Sequence, residues 1–177
     1  MNTGNLAYPI GKFQKPENIT NKNIQTWVDE IEAFPQQLYN VAADLSEEKL
    51  QWNYRPGSWT IQQVINHCTD SHINAFIRFK LALTEENPTI KPYDQDFWAN
   101  LKEAKSAPVK YSLQILEGLH FRLAMLLRDL TETELERTFF HPEHKRTFTL
   151  KETIGIYAWH GKHHLAHITN LRERMEW

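Results

Sequence analysis

Apolar residues recur at helical spacing in four separate stretches of this 177-residue chain, a pattern that restricts it to folds made by packing helices side by side. The first stretch holds Ile24, Trp27, Val28, Ile31, Phe34, Leu38, Val41 and Leu45. Pro35 falls inside it, where the ring removes a backbone donor, so a kink or break is expected near Phe34. The second runs through Ile61, Val64, Ile65, Cys68, His72, Ala75, Phe76, Phe79 and Leu83, ending near Thr84. It follows the breaker Arg55-Pro56-Gly57-Ser58 and opens on Thr60 and Gln63, a capping-box pair. The third is Val109, Leu113, Leu116, His120, Leu123, Ala124, Leu127 and Leu130, with Ser106 read as its cap and Pro108 as a first-turn proline. The fourth begins at a second capping box, Thr149 with Glu152, and carries Leu150, Ile154, Tyr157, Gly161, His164, Leu165, Ile168, Leu171 and Met175, ending near Arg174. Four helices with one apolar face each bury those faces most simply as an all-α four-helix bundle.

The connections refine this picture. Residues 85–107 are too long for a simple turn between antiparallel neighbours, so this segment is expected to cross the bundle and let the third helix run parallel to the second. Its aromatic-acidic run, Tyr93 to Trp98, reads either as a lid over a pocket or as cover for the bundle end. Two β-favouring runs flank Pro142-Glu143-His144-Lys145 and predict a small hairpin before the fourth helix. Residues 1–20, with Pro9, Gly11 and Pro16, read as an irregular arm lying on the surface or packed on a partner. The whole of 1–177 is expected to form one domain.

Composition excludes several classes of function. Lys plus Arg number 20 against 22 Asp plus Glu, so there is no basic excess for binding nucleic acid. No apolar run is long enough to span a bilayer, and the amino terminus lacks a signal-peptide pattern, so a cytoplasmic protein without membrane association is expected. The single cysteine, Cys68, forms no internal disulfide and is read as core packing rather than as a nucleophile.

Nine histidines stand out, four of them (His160, His163, His164 and His167) within eight residues. His160 and His164 are one helical turn apart on the inward face of the fourth helix and can converge on one ion. His163 lies further round towards solvent, and His167 is close enough to remain a candidate ligand. Gly161 on the core face suggests that something approaches closely. Two imidazoles hold a metal weakly, so a third ligand must come from another helix. His72 and His120 sit mid-stripe, where a hydrogen bond to a carbonyl or Tyr explains them. His67 shares a face with Asp70 and Asn74, which reads as either a solvated face or a pocket wall.

Three segments together resemble the YfiT-like branch of the DinB superfamily: Tyr54-Arg55-Pro56-Gly57-Ser58-Trp59-Thr60 leading to His67; Asp70-Ser71-His72 with Phe76-Ile77-Arg78-Phe79-Lys80; and Ala158-Trp159-His160-Gly161-Lys162-His163-His164 to His167. The family motif often reads Pro-Gly-Gly-Trp where this chain has Pro56-Gly57-Ser58-Trp59. The resemblance implies a four-helix bundle with one divalent metal per chain, zinc or nickel, held by His67, His160 and His164. It also implies a metal-dependent hydrolase acting on a small molecule, in a cytoplasmic homodimer. Superfamily relatives include transferases that use a low-molecular-weight thiol such as bacillithiol, which makes thiol S-transfer the alternative and a thiol a second cofactor. Three neutral imidazoles leave a coordination position open, where water or a thiol can be activated. Asp70, one turn from His67, is the candidate for a base or for a group orienting a ligand. A third alternative is a non-catalytic dimeric module that the metal only staples.

Overall fold

The computed structural model describes residues 6–177. Its long helices are α1 (Asn21–Ala42), α3 (Ile61–Thr84), α6 (Val109–Arg128) and α8 (Leu150–Met175), the four that the apolar stripes predict. Short helices occupy the connections: α2 (Glu47–Leu50), α4 (Gln95–Ala99), α5 (Lys102–Ser106) and α7 (Glu132–Leu135). The predicted hairpin is β1 (Thr138–His141) paired antiparallel with β2 (Arg146–Thr149), Thr138 facing Thr149 and His141 facing Arg146. No helix among the described residues is long and apolar enough to cross a membrane.

Both α1 and α3 pack on α6 and α8, so they stand diagonally across the bundle. Hydrogen bonds fix the directions. Gln62 reaches the Ala107 carbonyl and Asn66 accepts from Ser112, so α3 and α6 run parallel. Lys162 meets Glu30 and Arg172 meets Asp44, so α1 and α8 are parallel too. The crossing is made by residues 85–107, where α4 and α5 pack on α3. Their carbonyls are tied down by buried amides, Gln63 to Ala99 at 2.7 Å and Asn66 to Ala104 at 2.6 Å.

The local signals hold unevenly. Thr60 and Gln63 form the full capping box at the start of α3. At α8 only half forms: Thr149 accepts from the Glu152 amide, but the Glu152 carboxylate turns to Arg146 at 2.9 Å. Ser106 does not cap α6. It ends α5, donating to the Lys102 carbonyl, and Pro108 is the residue before α6.

Pro35 does not break α1, which continues to Ala42. The Ile31 carbonyl, four residues back, loses its usual helical donor at a proline. The buried His120 of α6 supplies one instead, donating from Nδ1 to that oxygen. A helix that the sequence alone would interrupt is thus completed from across the bundle.

The core has two apolar clusters. Val28, Ile31, Ala75, Phe79, Leu123, Leu127 and Ile154 form one. Phe34, Leu38, Ile65, Cys68, Leu116 and Ile168 form the other, where burial pushes the Cys68 thiol up, away from the reactive thiolate. Between them in sequence, on α3, α6 and α8, lie His72, His120, His160 and His164. The close approach expected at Gly161 is made by Phe34: a Cβ there would lie 3.0 Å from the Phe34 ring. Gly155, one and a half turns earlier, faces the Trp27 ring at 2.9 Å in the same way, which lets α1 and α8 pack closely along their length.

The arm packs on its own bundle. Its first five residues lie outside those described. Phe13 meets the edge of Trp27, and the Trp159 indole donates to the Gly11 carbonyl at 3.2 Å.

Two expectations follow. Gly161→Ala should cost about 1–3 kcal/mol in urea unfolding, because the Phe34 ring cannot withdraw from a packed core. Gly118→Ala, mid-helix on α6 with nothing within 4 Å, should gain roughly 0.5–1 kcal/mol. Burial holds the His120 imidazole down to about 4, against an ordinary 6.5. Between those values the unfolded chain binds the extra proton, so the neutral form's contribution is complete above pH 6.5 and is lost as pH falls towards 4. That contribution is on the order of 3 kcal/mol. Unfolding free energies at pH 7, 6 and 5 should therefore fall less steeply in His120→Gln than in the parent, and equal slopes would refute this assignment.

Candidate metal centre

α8 and α3 run antiparallel, which brings the middle of one against the start of the other. His67 of α3 meets His160 and His164 of α8 there, and one ring nitrogen from each lies within 4.8 Å of the other two. The Nε2 atoms of His67 and His160 are 3.1 Å apart. A tetrahedral ion with metal–nitrogen bonds of about 2.0–2.1 Å spaces its nitrogens by about 3.3 Å, so this pair already stands at the spacing such an ion requires. His164 lies edge-on to both rings, at centroid distances of 4.9 Å from His67 and 4.5 Å from His160.

Burial holds His67 down to about 4, and the His163 ring adds to the effect. It pushes His160 and His164 well below the usual imidazole range, helped by the neighbouring histidines. All three are therefore neutral at pH 7, with lone pairs available to a cation. The Nδ1 of His164 is buried without a partner.

His72 is the residue whose role the sequence conceals. Its Nε2 lies 3.0 Å from His160 Nδ1. With His160 Nε2 free to bind an ion, the His160 proton sits on Nδ1 and is donated to His72, which fixes both the tautomer and the plane of the ring. His72 in turn stacks on His120 at 4.7 Å and on Phe34 at 5.4 Å. The imidazole at the site is thus backed by a second imidazole packed into a triangle of rings with His120 and Phe34.

His67 forms a pocket wall, not a solvated face. Trp59 lies over it at 4.6 Å, and the Trp59 indole donates to Asp96 of α4 at 3.0 Å. The Tyr93–Trp98 run therefore borders the site, with Gln95 and Asp96 lining the cleft. Asp70 lies elsewhere. Its carboxyl is pushed up to about 6 by burial and by Glu103, it neighbours Tyr93, and it makes no hydrogen bond to the three imidazoles.

His163 is buried, contrary to its expected outward position, because Tyr8 of the arm lies over it at 5.8 Å and Trp159, one turn earlier on α8, stacks on it at 4.6 Å. Its Nε2 is 3.1 Å from that of His167, so His163, His164 and His167 form a second convergent group beside the first. Tyr54 stacks on His167 at 3.9 Å.

Two cavities meet at His160. One is the open cleft bounded by Tyr8, Arg55, Trp59 and the histidines of α8. The other, of about 200 Å³, lies beneath the hairpin, with Arg78, Tyr93, His141 and Tyr157 in its walls.

Comparison with known proteins shows the family to which this fold belongs. A protein from Oceanobacillus iheyensis, provisionally named a metal-dependent hydrolase, is 54% identical over 173 residues, covering 98% of this chain and 99% of its own. One from Bacillus cereus with the same provisional name is 52% identical over 172 residues, covering 97% and 98%. The solved structure of YfiT from Bacillus subtilis superposes with a TM-score of 0.96 at 44% identity, covering 98% of this chain and 99% of that one. It is described as a probable metal-dependent hydrolase with an unusual four-helix bundle topology. A family model for the DinB superfamily matches residues 30–168. By fold, by sequence and by the extent of both matches, the chain belongs to the DinB superfamily.

Proposed function

We propose that this chain is a metal-dependent hydrolase of a small molecule, with His67, His160 and His164 holding one divalent ion, zinc or nickel. The observation that carries the reading is the set of three neutral imidazoles, His67 and His164 buried and His160 part-buried, whose nitrogens converge within 4.8 Å at the junction of two cavities. The names of the relatives point the same way. His67, His160 and His164 would hold such an ion through neutral nitrogens that leave its charge uncancelled, and it would supply Lewis acidity to a substrate carbonyl and lower the pKa of water.

The protein's own groups do the rest. His72 holds the His160 ring through Nδ1, so the plane of that ligand is set before anything binds. Trp59, tethered by Asp96, covers His67 and keeps bulk water from that side. The open cleft admits the small molecule, and the cavity beneath the hairpin receives the part of it that does not react.

One observation favours a second reading, S-transfer by a low-molecular-weight thiol such as bacillithiol. Among the described residues lining the open cleft, the carboxylate is Asp96, and Trp59 occupies it. A thiol, which a metal deprotonates outright, needs no carboxylate base beside it.

Protein purified without a histidine tag should carry one divalent ion per chain, by elemental analysis. His67→Ala, His160→Ala and His164→Ala should each lose it, and His72→Phe should weaken it about 10–100-fold. Stoichiometric metal persisting in all three alanine variants would refute the site. Turnover of an ester or amide panel with water alone supports hydrolysis, and consumption of electrophiles only when bacillithiol is added supports transfer. A metal that raises the melting temperature while no panel member is turned over would leave a structural staple in place of an enzyme.

A further inference from the structure

The cavity beneath the hairpin contains a cation that the fold leaves without a counter-charge. Arg78 of α3 reaches into it, and its Nη1 donates to the Tyr157 hydroxyl at 3.1 Å. Its Nε is buried with no partner, and no carboxylate of the described residues lies within ion-pair distance of it. Three other arginines are paired with acids: Arg128 meets Asp29 at 2.7 Å, Arg146 meets Glu152 at 2.9 Å, and Arg172 meets Asp44 at 2.5 Å. Arg55 shares with Arg78 a buried Nε without a partner, but it borders the open cleft and its Nη1 donates to the Pro56 carbonyl. A guanidinium is always charged, and leaving a buried donor such as this Nε unpaired is costly unless a ligand supplies the acceptor.

Neighbouring groups suit a planar anion. The Tyr157 hydroxyl and the buried Tyr93 hydroxyl face the same space. His141 accepts the His144 amide on Nδ1 at 3.4 Å, which leaves the proton on Nε2 to be donated. The other end of the cavity is His160, whose ring lies 5.8 Å from that of Tyr157.

We infer that the substrate is an organic carboxylate, its carboxylate seated on the Arg78 fork and its reacting group extending towards His160. This rests on the proposed function for the reacting end, whereas the anion seat stands on Arg78 alone. A carboxylate fits better than a phosphate ester: the cavity offers one guanidinium, and the Glu143 carboxylate, exposed at its edge, repels a second negative charge.

The test is a titration of the purified protein with butanoate, butanamide and butyl phosphate, followed by NMR and calorimetry, with the metal content measured on the same sample. Butanoate should bind at least about tenfold more tightly than butanamide and more tightly than butyl phosphate, perturbing the Arg78 Nε–H resonance. Arg78→Gln should abolish the preference, and Arg78→Lys should keep part of it, since the charge remains without the fork. Equal binding of butanoate and butanamide to the parent protein overturns the proposal even if the variants do not fold, as does tighter binding of butyl phosphate. A carboxylate preference in a sample lacking metal supports the anion seat while counting against the proposed function. A metal-loaded sample without the preference does the reverse.

Discussion

Imidazoles in the middle of an apolar bundle each need partners for two ring nitrogens, and much of this structure follows from how that need is met at one nitrogen of each ring, while the second nitrogen of His72, His120, His163 and His164 stays buried without a partner. His120 spends one nitrogen on the Ile31 carbonyl that Pro35 leaves open. His72, stacked against His120, turns its Nε2 to His160, and His160 turns its own Nε2 to His67. The contacts run from α1 through α6 and α3 to α8, so a backbone defect in one helix is linked to a candidate ligand in another. Buried polar groups of this kind are costly when unsatisfied and specific when satisfied. Here they set the relative positions of all four long helices at one level.

That layer also explains the connectivity. The histidines of α8 face His67 near the start of α3 because the two helices run antiparallel, while α6 lies parallel to α3 and delivers His120 to the same level. A parallel neighbour requires a long crossing, and the crossing is put to use: α4 brings Asp96 to Trp59 and so closes one side of the cleft. The arm covers the other side, with Tyr8 against His163 and the Gly11 carbonyl accepting from the Trp159 indole of α8.

The long helices, the hairpin and the parallel α3–α6 pair were legible in the sequence because they depend on periodicity and on loop length, which are local properties. What the sequence hid depends on contacts between distant residues. Pro35 reads as a break, since nothing nearby reveals a donor 85 positions later in His120. Ser106 reads as a cap, yet its hydroxyl is taken by the preceding short helix. His163 reads as outward-facing because a helical wheel does not show the arm folding over it. The convergence of His160 with His164 follows from their spacing; the place of His67 beside them came from family resemblance, because the wheel allowed it either face. The part of His72 could not be read, since a mid-stripe histidine looks the same whether it meets a carbonyl or another imidazole. Asp70 was suggested by its turn position relative to His67, but the pitch of α3 directs it towards Glu103 and Tyr93 instead.

The central claim is that three imidazoles share one ion and leave it accessible. X-ray absorption spectroscopy on the metal-loaded protein tests this most directly, because the scattering pattern of imidazole rings counts them. The account predicts three imidazoles at about 2.0–2.1 Å, plus a light ligand that is replaced when a thiol or carboxylate is added. A shell with fewer than three imidazoles, or one filled entirely by protein donors and unchanged by added ligand, would contradict it.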